Sequence, residues 1–123
     1  MKDTIHIRVK TRYLEKESKP AQQRYVYAYT ITIENTGEMS AQLISRYWHI
    51  TDSNGEIQEV QGLGVIGAQP HLAPGEHYQY TSGVVLATET GMMEGHYTMR
   101  RADGEEFDAP IPPFALVKPS ALH

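Results

Sequence analysis

Gly62, Gly64 and Gly67 stand in a G-x-G-x-x-G spacing within Gln61-Gly62-Leu63-Gly64-Val65-Ile66-Gly67-Ala68-Gln69-Pro70. Glycines this close let successive backbone amides point into one concavity, the arrangement that holds a phosphate. A dinucleotide fingerprint also needs a helix that begins inside the motif. Here Pro70 and Pro74 follow closely, no helical apolar period appears, and no Lys-Ser/Thr pair follows. Both the dinucleotide fingerprint and the P-loop are therefore excluded. What remains is a glycine loop without a helix. It reads as an anion nest or, as preferred here, as a plain connection between two sheets.

Arg46 is the second candidate. Between Ala41 and Asp52 the residues Ile44, Trp48 and Ile50 share one face, and Arg46 shares their parity. A guanidinium on an apolar face is costly unless it is paired, stacked or led out to solvent. The favoured reading stacks it on Trp48 or a nearby tyrosine at the sheet margin. The functional reading makes it a planar donor fork that clamps an anion.

Other groups fall short of a site. His71 and His77 bracket one turn with Glu76 between them, whereas a transition-metal site needs three or four converging ligands. Asp52-Ser53-Asn54-Gly55-Glu56 resembles a calcium loop, but its glycine is misplaced and Leu63 stands where the bidentate acid belongs. Ser45 and Ser82 lack a strained glycine elbow. Glu56, Glu59, Glu94, Glu105 and Glu106 sit near turns, and the sequence pairs none of them for acid/base work. The chain is read as a non-enzyme with no resident metal or cofactor.

The elements that position these residues are strands. At 123 residues the chain is expected to form a single domain over 1–123. Its apolar fraction of 40% and charged fraction of 21% belong to a folded, water-soluble chain, and the lack of cysteine excludes disulfides and thiolate chemistry. No long apolar run is present, so no membrane insertion is expected and the chain is read as cytoplasmic. The net charge of -4 is uneven: residues 1–24 carry seven Lys/Arg against three acids, which leaves -8 on the rest. That asymmetry gives one end a modest preference for anions and falls short of a nucleic-acid interface.

Thr4 to Tyr13 alternates, with Ile5, Ile7, Val9, Thr11 and Tyr13 opposite His6, Arg8, Lys10 and Arg12. The basic face is read as protection of an edge strand. Glu15–Pro20 is a loop. Arg24–Asn35 places Tyr25, Tyr27, Tyr29, Ile31 and Ile33 on one face. Ala41–Asp52, Ile57–Gln61, His77–Leu86, Glu94–Arg100 and Glu105–Ala109 follow as strands, with turns at Asn54-Gly55, Pro74-Gly75 and Asp103-Gly104. Pro110, Pro112 and Pro113 are expected to stop regular pairing. Phe114, Leu116 and Val117 continue as an edge strand before a frayed 119–123 tail. The fold class is all-β: an immunoglobulin-like or fibronectin type III-like sandwich of seven to eight antiparallel strands. Leu72–Tyr78 fits a turn with a tyrosine corner, and Gly95-His96-Tyr97 is a second candidate for one.

Arg46-Tyr47-Trp48-His49-Ile50-Thr51-Asp52, the Val60–Pro70 glycine stretch, Leu72-Ala73-Pro74-Gly75-Glu76, Tyr80-Thr81-Ser82-Gly83 and Gly91–Tyr97 together resemble the ApaG family. The resemblance covers nearly the whole chain. It implies a small bacterial cytoplasmic protein with a fibronectin type III-like sandwich, associated with cobalt resistance and magnesium efflux. Related domains in eukaryotic F-box proteins and in a polymerase-delta-interacting protein look like protein-interaction modules. The family's glycine motif, proposed to bind pyrophosphate or nucleotides, maps onto Gly62, Gly64 and Gly67; Ile66 stands where valine is common. The leading expectation is a non-enzymatic binding module acting through a protein partner. The alternative is a sensor of a phosphate-containing small ligand held by Gly62, Gly64 and Gly67, with Arg46 neutralising charge. Least favoured is a metal-dependent phosphohydrolase built on His71, Glu76 and His77. An oligomer is compatible with the sequence but not specified by it.

Overall fold

Period-two alternation of β-branched and aromatic residues produces eight strands in a computed structural model that describes Thr4–Lys118. They are β1 (Ile5–Tyr13), β2 (Tyr25–Asn35), β3 (Ala41–Asp52), β4 (Ile57–Leu63), β5 (His71–Leu72), β6 (His77–Leu86), β7 (Gly91–Arg101) and β8 (Glu106–Leu116). One sheet has the order β1-β2-β6; the other runs β4-β3-β7-β8, with the short β5 also pairing to β3. Every pairing is antiparallel. The all-β sandwich read from the sequence is the fold. The 119–123 tail lies outside the described residues.

The core lies between the two sheets. Tyr27, Tyr29, Ile31 and Ile33 of β2 meet Leu43, Trp48 and Ile50 of β3 and Met93, Tyr97 and Met99 of β7, all buried. Trp48 packs edge-on to Tyr29, Tyr97 and Phe114 at centroid distances of 5.4, 6.4 and 5.9 Å. Aromatic pairs favour this geometry because the positive ring edge meets the negative face. The hydroxyls of Tyr80 and Tyr97 bond each other at 2.6 Å across the sheets, which satisfies two polar groups with no access to water.

Three local expectations are corrected. The expected strand grouping placed Ile44 with Trp48 and Ile50, but β3 carries a bulge between Leu43 and Ser45. Leu43 is the buried residue and Ile44 is only half-buried. One extra residue shifts the phase of alternation, so Ala41 and Leu43 face the core on one side of the bulge and Trp48 and Ile50 on the other. Second, Pro110, Pro112 and Pro113 do not stop pairing. β8 continues through them to Leu116 because it is an edge strand, and a second bulge opposite Glu94 accommodates the prolines. Third, the corner at Ala73–Glu76 is closed by Asn35, not by the Tyr78 hydroxyl. The Asn35 carbonyl accepts from Gly75, its amide donates to Glu76, and its side chain donates to the carbonyls of Met39 and Leu72. The basic face of β1 does sit on an edge strand, with Arg8, Lys10 and Arg12 exposed.

Burial raises the hydroxyl pKa of Tyr27 to about 12 from 10.0, with Tyr13 and Glu89 adding to the effect. Burial likewise raises Tyr80 and Tyr97. In the unfolded chain these groups ionise at the ordinary value, so above about pH 10 the unfolded state binds fewer protons and is favoured. Stability should be flat up to about pH 9.5 and then fall by up to about 1.4 kcal/mol per pH unit for each of Tyr80 and Tyr97. Urea midpoints from about pH 8 to 12 measure this; a Tyr97→Phe variant should show a shallower fall.

Candidate functional site

The bulge in β3 positions the glycine stretch. It brings the Leu43 amide to the same edge as the Ile44 carbonyl, which accepts from the Gly64 amide at 2.8 Å and from the Gln69 side chain at 2.9 Å. Before that point Gly62 and Leu63 belong to β4, opposite Arg46 and Ser45. After it, Leu43 donates to the Pro70 carbonyl, and His71 and Leu72 pair with Gln42 and Ala41. The glycine stretch therefore stays within one sheet, running beside β3. The expected inter-sheet connection is made instead by Ala73–Glu76. Between the two anchor points, Val65 and Ala68 exchange both backbone bonds and form a miniature hairpin.

Its turn residues are Ile66 and Gly67, with φ of 46° and 75°. Two positive φ angles in a two-residue turn suit Asn or Gly, and a β-branched residue there is strained. The strain places Ile66 at the tip with 63% of its surface exposed. Gly64, at φ 64°, has no room for a side chain: an added Cβ would lie 2.3 Å from the Ala68 carbonyl oxygen.

Arg46 meets this loop through its carbonyls. Its Nη1 donates to the Gly64 oxygen at 2.9 Å and to the Leu63 oxygen at 3.2 Å. The guanidinium crosses directly over Gly62, where an added Cβ would sit 2.8 Å from Nη1. Its partners are peptide oxygens rather than the ring of Trp48 or a nearby tyrosine expected from the sequence. It lines a cavity with Tyr29, Trp48 and Ser82, and its charge opposes the burial-driven rise at Tyr29, Tyr80 and Tyr97. The structure thus brings Arg46, Gly62 and Gly64 together and holds Gly67 apart at the hairpin tip. The amides of Gly64, Val65 and Ala68 donate to protein carbonyls.

Arg46 also lines an open cavity of about 400 Å³ with Ser45, Tyr47, Gln61, Gly62, His96 and Thr98. The Tyr47 ring stacks on His96 at 5.3 Å, and its hydroxyl donates to Glu59 at 2.6 Å, a bond that raises the Tyr47 pKa. The imidazolic residues of the other proposed cluster do not converge. His71 pairs with Gln42 in one sheet, His77 pairs with Glu34 in the other, and Glu76 accepts from the Ala73 amide. Among the described residues no group of three or more His, Asp or Glu could hold a metal ion.

Sequence reading missed the apolar surface around this loop. Ile57, Val60 and Leu63 of β4 are 58%, 36% and 74% exposed, and Val85 of β6 is 39% exposed beside them. The Gln58 side chain bridges the two edges by donating to the Val85 carbonyl. The available signal was the spacing: apolar residues three apart in a strand fall on both of its faces, so one sheet cannot bury them all.

The ApaG domain family model matches residues 15–101. The chain belongs to the ApaG family. It is 57% identical to Protein ApaG of Pseudomonas paraeruginosa over the full length of both chains. It is 56% identical to Protein ApaG of Thiobacillus denitrificans over 97% of this chain and 94% of that one. A crystal structure of an ApaA protein from Bordetella pertussis superposes with a TM-score of 0.91 at 50% identity, covering 94% of both chains. The matched segment begins after β1 and ends with β7, so it contains β3, β4 and the whole glycine stretch.

Ile66 provides a direct check of the hairpin geometry. Ile66→Asn removes the left-handed penalty of a β-branched residue and should raise stability by roughly 1 kcal/mol. A higher thermal midpoint by a few degrees in calorimetry is the expected result. A lower one would mean that the Ile66 side chain packs usefully within its own chain.

Proposed function

We propose that this domain is a non-enzymatic protein-interaction module that docks partners on the β4 edge and the adjoining glycine hairpin. The observation that carries this reading is the strained, exposed Ile66 just beyond a strand edge that exposes Ile57, Val60 and Leu63. Backbone strain is retained where the displayed group has a use outside the fold. Apolar side chains along an unpaired strand edge are the features by which a partner strand gains both backbone bonds and side-chain contacts. The link to divalent cations that the family resemblance implies, cobalt resistance and magnesium efflux, then runs through the partner.

Leu63→Glu and Ile66→Asn should each weaken retention of a bound partner by about 10-fold or more, or ~1.4 kcal/mol. Arg12→Glu, on the far edge strand, should leave it unchanged. Affinity capture from a bacterial extract followed by titration of the retained protein measures both. Equal retention by all three variants would remove the reading.

Arg46 and His96 on one cavity support a second reading, a sensor of a phosphate-containing ligand. A guanidinium with peptide oxygens on one nitrogen still offers donors to an anion on the others. Calorimetric titration with pyrophosphate and with ATP, with and without magnesium or cobalt, separates the readings. Heat at millimolar ligand that vanishes in a folded Arg46→Gln variant supports the sensor. No heat leaves the interaction module.

A further inference from the structure

Sheet edges expose unpaired backbone groups and are ordinarily blunted. β1 carries Arg8, Lys10 and Arg12, and β8 carries Pro110, Pro112 and Pro113. At β6 the Gln58 side chain covers the Val85 carbonyl. β4 has no lysine, arginine or proline, and it pairs with β3 without a register shift. Its backbone groups are ordered for pairing. Gly64 donates to the Ile44 carbonyl and Asp52 to the Glu56 carbonyl, bonds that bracket the β3–β4 ladder at even-numbered residues of the β4 segment. Gln58, Val60 and Gly62 therefore bond inward to β3, and the N–H and C=O groups of Ile57, Glu59, Gln61 and Leu63 point outward. The Leu63 carbonyl receives Arg46 and retains a second lone pair.

We propose that this edge is covered by the same edge of a second copy, antiparallel, about a two-fold axis at Val60. The sequence of β4, Ile-Gln-Glu-Val-Gln-Gly-Leu, is self-complementary in that register. Ile57 lies opposite Leu63, Gln58 opposite Gly62, Glu59 opposite Gln61, and Val60 opposite itself. Residues that oppose one another in an antiparallel pair share a face, so Ile57 and Leu63 meet on one surface of the joined sheet and the two Val60 side chains on the other. The outward-pointing residues become the hydrogen-bonded pairs, and Val60 sits at a pair without such bonds, where side chains approach most closely. Neighbouring two-fold registers are worse. An axis at Glu59 opposes two carboxylates, and an axis at Gln61 sets Leu63 against Glu59. Such an isologous pairing is the commonest closed symmetry, and it joins two five-stranded sheets into one. The inference rests on the interaction reading of this edge and adds what occupies it when no other partner does.

The absence of cysteine from the chain makes the register testable. The wild-type chain should sediment as a concentration-dependent dimer between about 1 μM and 1 mM, the range of weak to moderate association. Under mild oxidation Val60→Cys should form a disulfide-linked dimer at least about 10-fold faster than Gln58→Cys, because only Val60 meets its own counterpart within disulfide reach. Val60→Glu and Val60→Lys should each be folded monomers, and their equimolar mixture should dimerise. A monomer at every concentration overturns the proposal, as does equal cross-linking of the two cysteine variants. A monomer whose partner capture still depends on Leu63 and Ile66 means that a different chain occupies the edge, which sinks self-pairing and leaves the interaction reading standing.

Discussion

The phase shift in β3 is the constraint on which the remaining architecture depends. Ala41 and Leu43 must be buried, and so must Trp48 and Ile50, yet the two sets have opposite parity. A regular strand would send one of them to solvent, so the chain inserts a residue between Leu43 and Ser45. The bulge has a second effect. It turns the Leu43 amide to the same edge as the Ile44 carbonyl, so Pro70 and Gly64 bond to adjacent residues of β3. The same defect that completes the core thereby sets how the chain rejoins β3 after the glycine hairpin.

Arg46 connects that edge to the interior. It is half-buried, lines one cavity with Tyr29, Trp48 and Ile50, and holds the carbonyls of Leu63 and Gly64 with Nη1, while its charge opposes the burial-driven rise at Tyr80 and Tyr97. A charge in this position is tolerated because peptide oxygens take up Nη1 and the rest of the guanidinium can still reach solvent. Gly62 is required by that path, since the arginine occupies the space a side chain would need. The glycine spacing thus has a packing explanation at Gly62 and Gly64. At Gly67 the explanation is the tight turn, and there the adjacent Ile66 accepts the strain.

Much of the fold was legible because strand alternation is a short-range signal. β2, β3 and β6 were readable from residues such as Tyr27, Ile31, Trp48 and Tyr80, whose period of two survives any tertiary context. The turns at Asn54-Gly55 and Asp103-Gly104 were readable for the same local reason. β8 was misread because proline forbids a central strand but not an edge, and which strand is an edge depends on sheet order. Ile44 was assigned to the core because a bulge changes parity without any breaker residue to announce it. Its one trace was the odd parity of Ala41 and Leu43 against the even parity of Trp48 and Ile50.

For the candidate site, the sequence alone determined the family, the absence of a helix after the glycines and the unusual arginine on an apolar face. Each follows from residue types and their near neighbours. Only the tertiary structure decided what those residues touch. It gave Arg46 carbonyls instead of a ring, kept the glycine stretch inside one sheet, separated His71 from His77, and left Ile57, Val60, Leu63 and Ile66 uncovered. These outcomes rest on which strands lie at the margins of two packed sheets. That is a property of long-range pairing, and no local pattern along the chain encodes it.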